Sequence, residues 1–175
     1  MNSELAKSAL VTSKAIQDEV NQIWLLPSES IRHRGETVIP ISYVRKTRGY
    51  IETVVYQING TYEYEAFDAC AVMIRRLIET LIIEAFIKYG IADKIKTQSG
   101  DFPYLSQLIT YALNETKWHL TRNTKQALSK LKNIGDLSAH SRYYNAHRAD
   151  IDKIIDDLRV SVQELIHIAE LKQQS

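Results

Sequence analysis

Cysteine, proline and glycine are all scarce in this chain of 175 residues, which contains one Cys, three Pro and six Gly. The single cysteine, Cys70, excludes an intramolecular disulfide framework and a cysteine-based zinc site. So few turn-forming residues argue against an all-β fold, because sandwiches and barrels need a turn after every short strand. The composition therefore predicts an all-α protein whose long helices bury a core of their own.

A long uninterrupted hydrophobic run is also absent. The most apolar stretch, residues 66–87, predicts a core helix and not a membrane span, because charged residues interrupt it. These charged residues are Asp68, Arg75, Arg76, Glu79 and Glu84. Residues 1–20 are mixed in charge and lack the apolar centre of a signal peptide. We therefore expect a cytoplasmic protein without a membrane partner.

Neither sign of charge dominates, since the formal net charge is only +1 at pH 7. Bulk electrostatics therefore give no indication of nucleic-acid binding. The basic residues do fall into two runs, 32–48 and 117–132, and the second run encloses Trp118. We interpret each run as a solvated face in preference to a binding groove.

Hydrophobic periodicity divides the chain into an N-terminal arm and a helical bundle. Residues 3–24 predict a weakly amphipathic helix and residues 27–40 a polar connector. We therefore assign 1–40 to a helix-and-connector arm and 41–175 to the bundle domain.

The bundle should contain five or six helices, because apolar residues recur there at intervals of three and four. The Asn59-Gly60 pair predicts the end of its first helix, whereas Gly135 could end a later helix or lie within it. The two most hydrophobic helices should pack together, and their large apolar surface predicts a homodimer. The predicted helices cover residues 42–59, 64–89 and 104–112, a stretch from about 121, and 149–171.

The segment 132–147, KNIGDLSAHSRYYNAH, places His140, Arg142 and His147 together just before the last helix. Imidazole can take or give a proton near neutral pH, and guanidinium can neutralise charge that develops on a phosphate. These three residues are therefore candidate catalytic residues for cleavage of a phosphodiester without metal or cofactor. Asp136 and His140 supply too few ligands to predict a metal site. An ordinary surface turn can contain the same residues.

Arg142 and His147 form an R-x4-H sequence, which resembles the motif of the HEPN helical ribonucleases. In that family two protomers pair the helices that carry the motif, and the composite site leaves 2′,3′-cyclic phosphate ends on RNA. Tyr143 follows the arginine where the family usually has a small polar residue. A second local match joins Lys132-Asn133 to His140, with lysine in place of arginine. The resemblance implies a phosphate- or RNA-binding group of Lys132, Asn133, Arg75 and Arg76, supported by Glu79 and Asp136.

A longer resemblance runs from about Tyr43 to Leu171. The order GTYEYEAFDACAVMIRRLIETLIIEAF, KNIGDLSAHSR and a final helix ending in ELIHIAEL is similar to a bacterial helical domain of unknown function. That domain occurs alone or fused to subunits of restriction and other defence systems. The resemblance implies a HEPN-like fold for this chain. Its landmarks here are Ala69, Arg75, Arg76, Glu79, Gly135, Asp136, Ala139, His140 and Arg142.

Three functions remain open at this stage. The first is a homodimeric interaction module of a bacterial defence or stress system, with RNA or nucleotide as its ligand. The second is a HEPN-type endoribonuclease toxin, and the third is a scaffold or antitoxin-like partner that docks through residues 1–40. The alternative to a binding site is purely structural: Arg75, Arg76 and Glu79 would form a charge network that anchors the turn 135–142.

Overall fold

The structure is a computed structural model that describes residues 11–14 and 37–172. The chain divides into two compact units, Met1–Arg34 and Gly35–Ser175. In the first unit residues 11–14 are helical, while the rest of the predicted helix 3–24 lies outside the described residues, as does most of the connector. Every regular element in the described part of the chain is helical, which confirms the all-α prediction.

The second unit is built from seven α-helices and one short 3₁₀ helix in its described residues. Two of these helices, each of five residues or fewer, account for the excess over the five or six predicted. In chain order they are α1 (Ile41–Val44), α2 (Gly49–Glu63), α3 (Phe67–Lys88), the 3₁₀ helix (Ala92–Ile95), α4 (Leu105–Asn114), α5 (Arg122–His140), α6 (Arg148–Asp152) and α7 (Ile155–Ile168).

Helix α3 is the centre of the bundle. Its side chains are buried on most sides, and it contacts α2, α4, α5, α6 and α7. The predicted packing of the two most hydrophobic helices is therefore present as the contact between α3 and α7, although α5 and α2 contact α3 more extensively. Asp68 in the first turn of α3 and Lys88 in the last complement the helix dipole. Within the described ranges, no helix is long and apolar enough to cross a membrane.

The last helix of the prediction, 149–171, is two helices. Helix α6 ends at Asp152, and Ile154 N–H donates to Ile151 O at 3.0 Å, a tighter turn than that of an α-helix. Helix α7 then begins at Ile155. Both Ile151 and Ile154 remain buried through this turn. The hydrophobic stripe therefore continues across the break, which is why periodicity did not reveal it.

The predicted helix stop at Asn59-Gly60 is wrong. Helix α2 continues through Gly60 to Glu63 because Tyr62 is buried and packs edge-on against Phe67, with ring centroids 5.8 Å apart. The chain reverses instead at Glu65, a non-glycine residue with a φ of 59°.

Residues 37–40 pack as part of the bundle. Val38 and Ile39 are fully buried, although the prediction placed them in a polar connector. The Asn59 side chain accepts from Ile39 N–H at 3.0 Å and donates to Ile39 O at 2.8 Å. Arg159 of α7 donates to the carbonyls of Val38 and Thr37 at 2.9 Å and 2.6 Å. The compact unit to which these residues belong runs from Gly35 to Ser175.

Candidate functional site

The segment 132–147 is half helix and half loop, because α5 passes through Gly135 and ends at His140. At Gly135, α5 lies so close to α3 that there is no room for a Cβ atom. A Cβ built on Gly135 would lie 2.6 Å from Arg75 Cβ and 3.2 Å from the Ala71 carbonyl oxygen. Glycine thus lets the last two turns of α5 lie against the middle of α3.

An ion-pair network joins these two helices beside Gly135. Arg75 Nε lies 3.1 Å from Asp136 Oδ1, although it is not aligned for a hydrogen bond, and Lys132 Nζ pairs with Asp136 Oδ2. Burial raises the pKa of Glu79 above its ordinary value, Arg75 opposes that rise, and Asp136 adds to it. Asp136 therefore compensates the charge of Lys132 and Arg75, two of the residues predicted to bind phosphate. Arg76, by contrast, is exposed.

The other predicted residues of α5 lie on its solvent side. Asn133, Leu137 and His140 are spaced four and three residues apart, so they share one face of the helix, and all three are exposed. Arg142 and Tyr143 follow directly and are exposed as well. Within the described ranges, no ion pair or hydrogen bond engages the side chain of His140 or Arg142.

The loop 141–147 is fixed by hydrogen bonds from its backbone. Ser141 N–H donates to Leu137 O at 3.0 Å where α5 ends. Further along, Ala146 N–H donates to Asp68 Oδ1 at 3.0 Å, and His147 N–H donates to Asp150 Oδ2 at 3.0 Å. The hydrogen bond from His147 holds the pKa of Asp150 below its ordinary value. Residues 142–145, of which all but Tyr144 are exposed, therefore lie between two fixed points.

Arg148, the first residue of α6, holds the end of this loop against the turn between α2 and α3. Its guanidinium carbon lies 4.7 Å from the centroid of the Tyr62 ring and 5.4 Å from that of Phe67. The same guanidinium pairs with Glu65 at 3.5 Å. Arg148 is thus occupied by structural contacts, which leaves Arg142 as the arginine of the loop that points to solvent. His147, the residue between loop and α6, is exposed.

Sequence reasoning missed a buried carboxylate on α3. Glu84 is only 7% exposed; it accepts a hydrogen bond from the Tyr50 hydroxyl and lies 3.1 Å from an Arg48 guanidinium nitrogen. The pKa of Tyr50 is raised to about 12, mainly because the hydroxyl is buried and secondly because it donates a hydrogen bond to Glu84. A signal was present in the sequence, because Glu84 follows Leu77 and Leu81 at helical spacing on an apolar face. A charge there needs partners.

Trp118 is buried, although the basic residues around it in the sequence indicate a position on the surface. It lies inside a basic run but is 6% exposed, and its ring centroid is 4.9 Å from that of Phe86 and 5.1 Å from that of Tyr89. Trp118 is therefore a core residue and not a platform for stacking nucleic-acid bases.

The sequence profile of the family described as "Domain of unknown function (DUF4145)" matches residues 57–175. The chain is a DUF4145 protein. The matched residues include α3, α5 and the loop that follows α5, so the site described above lies within the DUF4145 domain. No curated protein and no solved structure matches the chain. In the part of this DUF4145 protein that the structure describes, no three His, Cys, Asp or Glu side chains are grouped to hold a metal ion.

Proposed function

We propose that this protein is a HEPN-like, homodimeric interaction module of a bacterial defence or stress system, which binds RNA or nucleotides in the cytoplasm. The ligand would bind at the end of α5, on the surface formed by Asn133, Leu137, His140, Arg142 and Tyr143. The observation that carries the proposal is the contrast in charge pairing along this segment. Lys132, Arg75 and Arg148 are each paired with a carboxylate, whereas Arg142 has no partner among the described residues.

An unpaired exposed arginine suits a phosphate ligand for two reasons. Its guanidinium donates to two phosphate oxygens at once, and the ligand does not have to displace an intramolecular carboxylate. His140, which is exposed two residues earlier in the chain, adds a second possible hydrogen-bond donor.

Replacing Arg142 with alanine should weaken RNA binding about fivefold or more, because a charged contact to phosphate is lost. The measurement is fluorescence anisotropy with a labelled RNA oligonucleotide at several salt concentrations. The slope of log Kd against log salt should also fall by about one. Arg122→Ala is the matched control, since Arg122 is exposed at the opposite end of the same 19-residue helix, about 28 Å away.

Equal losses in the two variants would mean that the protein binds RNA through general charge and not at this site. Absence of binding by folded wild-type protein would reject the RNA ligand altogether. Light scattering on the same samples measures the molecular mass, which should be twice that of the chain if the module is a homodimer.

A second candidate function is metal-independent RNA cleavage, and one observation favours it. His140 and His147 are both exposed and lie on either side of Arg142 in the sequence. One imidazole would take the proton of a ribose 2′-hydroxyl while that oxygen attacks the adjacent phosphate. The other imidazole would protonate the leaving 5′-oxygen, and Arg142 would neutralise the phosphorane. The products would be a 2′,3′-cyclic phosphate and a 5′-hydroxyl.

His140→Ala should lower the cleavage rate about a hundredfold or more if this imidazole transfers a proton. The assay incubates RNA with each protein in EDTA and identifies the fragment ends. His119→Ala is the control because His119 is also exposed but precedes α5. Cleavage that persists in His140→Ala and is lost in His147→Ala would assign the reaction to the second histidine alone. Intact RNA with the wild-type protein would leave only the binding function.

A further inference from the structure

Tyr143 is 90% exposed, more than any other large hydrophobic residue that the structure describes. A tyrosine that buries almost none of its ring contributes almost nothing to the stability of the fold. The residue directly before it is Arg142, which is exposed and has no ion-pair or hydrogen-bond partner among the described residues. An exposed aromatic ring and an exposed guanidinium thus belong to consecutive residues of the loop.

The backbone under Tyr143 is held before any ligand arrives. The hydrogen bonds of Ser141 to Leu137 and of Ala146 to Asp68, each 3.0 Å long, fix the chain on both sides of the ring. A platform that is already ordered loses less conformational entropy on binding than a free loop would.

A second exposed tyrosine belongs to the segment that anchors the loop. Tyr64 is 60% exposed and immediately precedes Glu65, which pairs with Arg148 at 3.5 Å. The first turn of α3, which follows directly, provides Asp68, the acceptor for Ala146 N–H. The turn between α2 and α3 and the loop 141–147 therefore form one end of the bundle, and that end carries two exposed aromatic rings and an unpaired arginine.

We propose that this end of the bundle binds unpaired nucleotides, with a base stacked on Tyr143 and the adjacent phosphate on Arg142. The inference rests on the proposed RNA-binding function and names its substrate class as single-stranded RNA. Every base has a flat π-face that can stack on an aromatic side chain, but in a duplex both faces are already covered by neighbouring bases. A duplex could still contact Arg142 through its phosphates, yet it could not use Tyr143.

The test compares a single-stranded RNA oligonucleotide with a duplex of the same sequence, using wild-type protein and four variants. Wild type should bind the single strand about tenfold more tightly than the duplex. Tyr143→Ala should lose about fivefold or more in affinity for the single strand and little for the duplex. Tyr143→Phe should retain binding because it keeps the ring. Tyr104→Ala is the matched control, since Tyr104 is 78% exposed but lies at the start of α4.

The fourth variant, Arg142→Ala, separates this inference from the function on which it rests. If Arg142→Ala weakens binding while Tyr143→Ala does not, the stacking inference is wrong and the RNA-binding function stands. Equal affinity of the wild-type protein for single strand and duplex would also contradict stacking on Tyr143. If folded wild-type protein binds neither RNA, both proposals are wrong. Thermal unfolding of Tyr143→Ala should match wild type, since the side chain buries almost nothing.

Discussion

Gly135→Ala is expected to lower the free energy of unfolding by about 1–2 kcal/mol, even though alanine is the better helix former. The added methyl would lie 2.6 Å from Arg75 Cβ and 3.2 Å from the Ala71 carbonyl oxygen. These atoms belong to or adjoin the backbone of α3, so the two helices would have to separate. Overpacking of this kind costs about 1–3 kcal/mol, and the helix preference for alanine returns about 1 kcal/mol at most. Urea denaturation followed by circular dichroism measures the difference.

Gly60→Ala is the matched control because it makes the same change in α2. A Cβ at Gly60 meets no atom within 4 Å, and the backbone there is helical. The control should therefore raise the free energy of unfolding by about 0.5–1 kcal/mol. Opposite signs for the two variants would establish that the contact with α3, and not helix propensity, requires glycine at position 135. Stabilisation by both would mean that α5 can move away from α3 at little cost.

These two glycines also show where sequence reasoning succeeds and where it stops. The helices themselves follow from the intervals between apolar residues, which is why α3 and the stripe through α6 and α7 could be predicted. Gly60 was predicted as a helix end, and Gly135 was left as either an end or an interior residue. Both are interior residues, and what distinguishes them is a neighbour on another helix. For Gly135 that neighbour is Arg75, sixty residues earlier in the chain.

The candidate site, too, could be predicted only in part from the sequence. The sequence could identify His140, Arg142 and His147 as a polar group before the last helix, because that depends only on residue types and order. Which cations remain free depends instead on where the carboxylates lie in space. Asp136 pairs with Lys132 and Arg75, and Glu65 pairs with Arg148. No spacing rule predicts the pair between Glu65 and Arg148, since these residues are 83 positions apart.

The segment 37–39 is the clearest case of a long-range contact that outweighs local composition. The polar residues around it predicted a connector, yet Val38 and Ile39 are fully buried. Burial of an irregular segment is stable only if its backbone groups find partners. Those partners are the side chains of Asn59 and Arg159, which come from two different helices.

Asn59→Ala should accordingly lower the free energy of unfolding by about 2–4 kcal/mol. The substitution removes both hydrogen bonds to Ile39, and the N–H and carbonyl of this fully buried residue are left without their partner. An unsatisfied buried polar group costs about 1–3 kcal/mol. Hydrogen exchange should locate the effect, because the Ile39 amide should lose more protection than amides in the middle of α3. The loss of global stability is measured by urea denaturation.

Asn133→Ala is the control that separates the loss of the two hydrogen bonds to Ile39 from the low helix propensity of asparagine. Asn133 is exposed in the interior of α5, so its replacement should stabilise the chain slightly, by about 0.5 kcal/mol. A small effect of Asn59→Ala, close to that of the control, would mean that residues 37–39 are held by apolar burial and Arg159 alone. A large effect would make Asn59 the residue that fixes the start of the second unit to α2. The position of Val38 and Ile39 in the core would then depend on one amide side chain as much as on their own hydrophobicity.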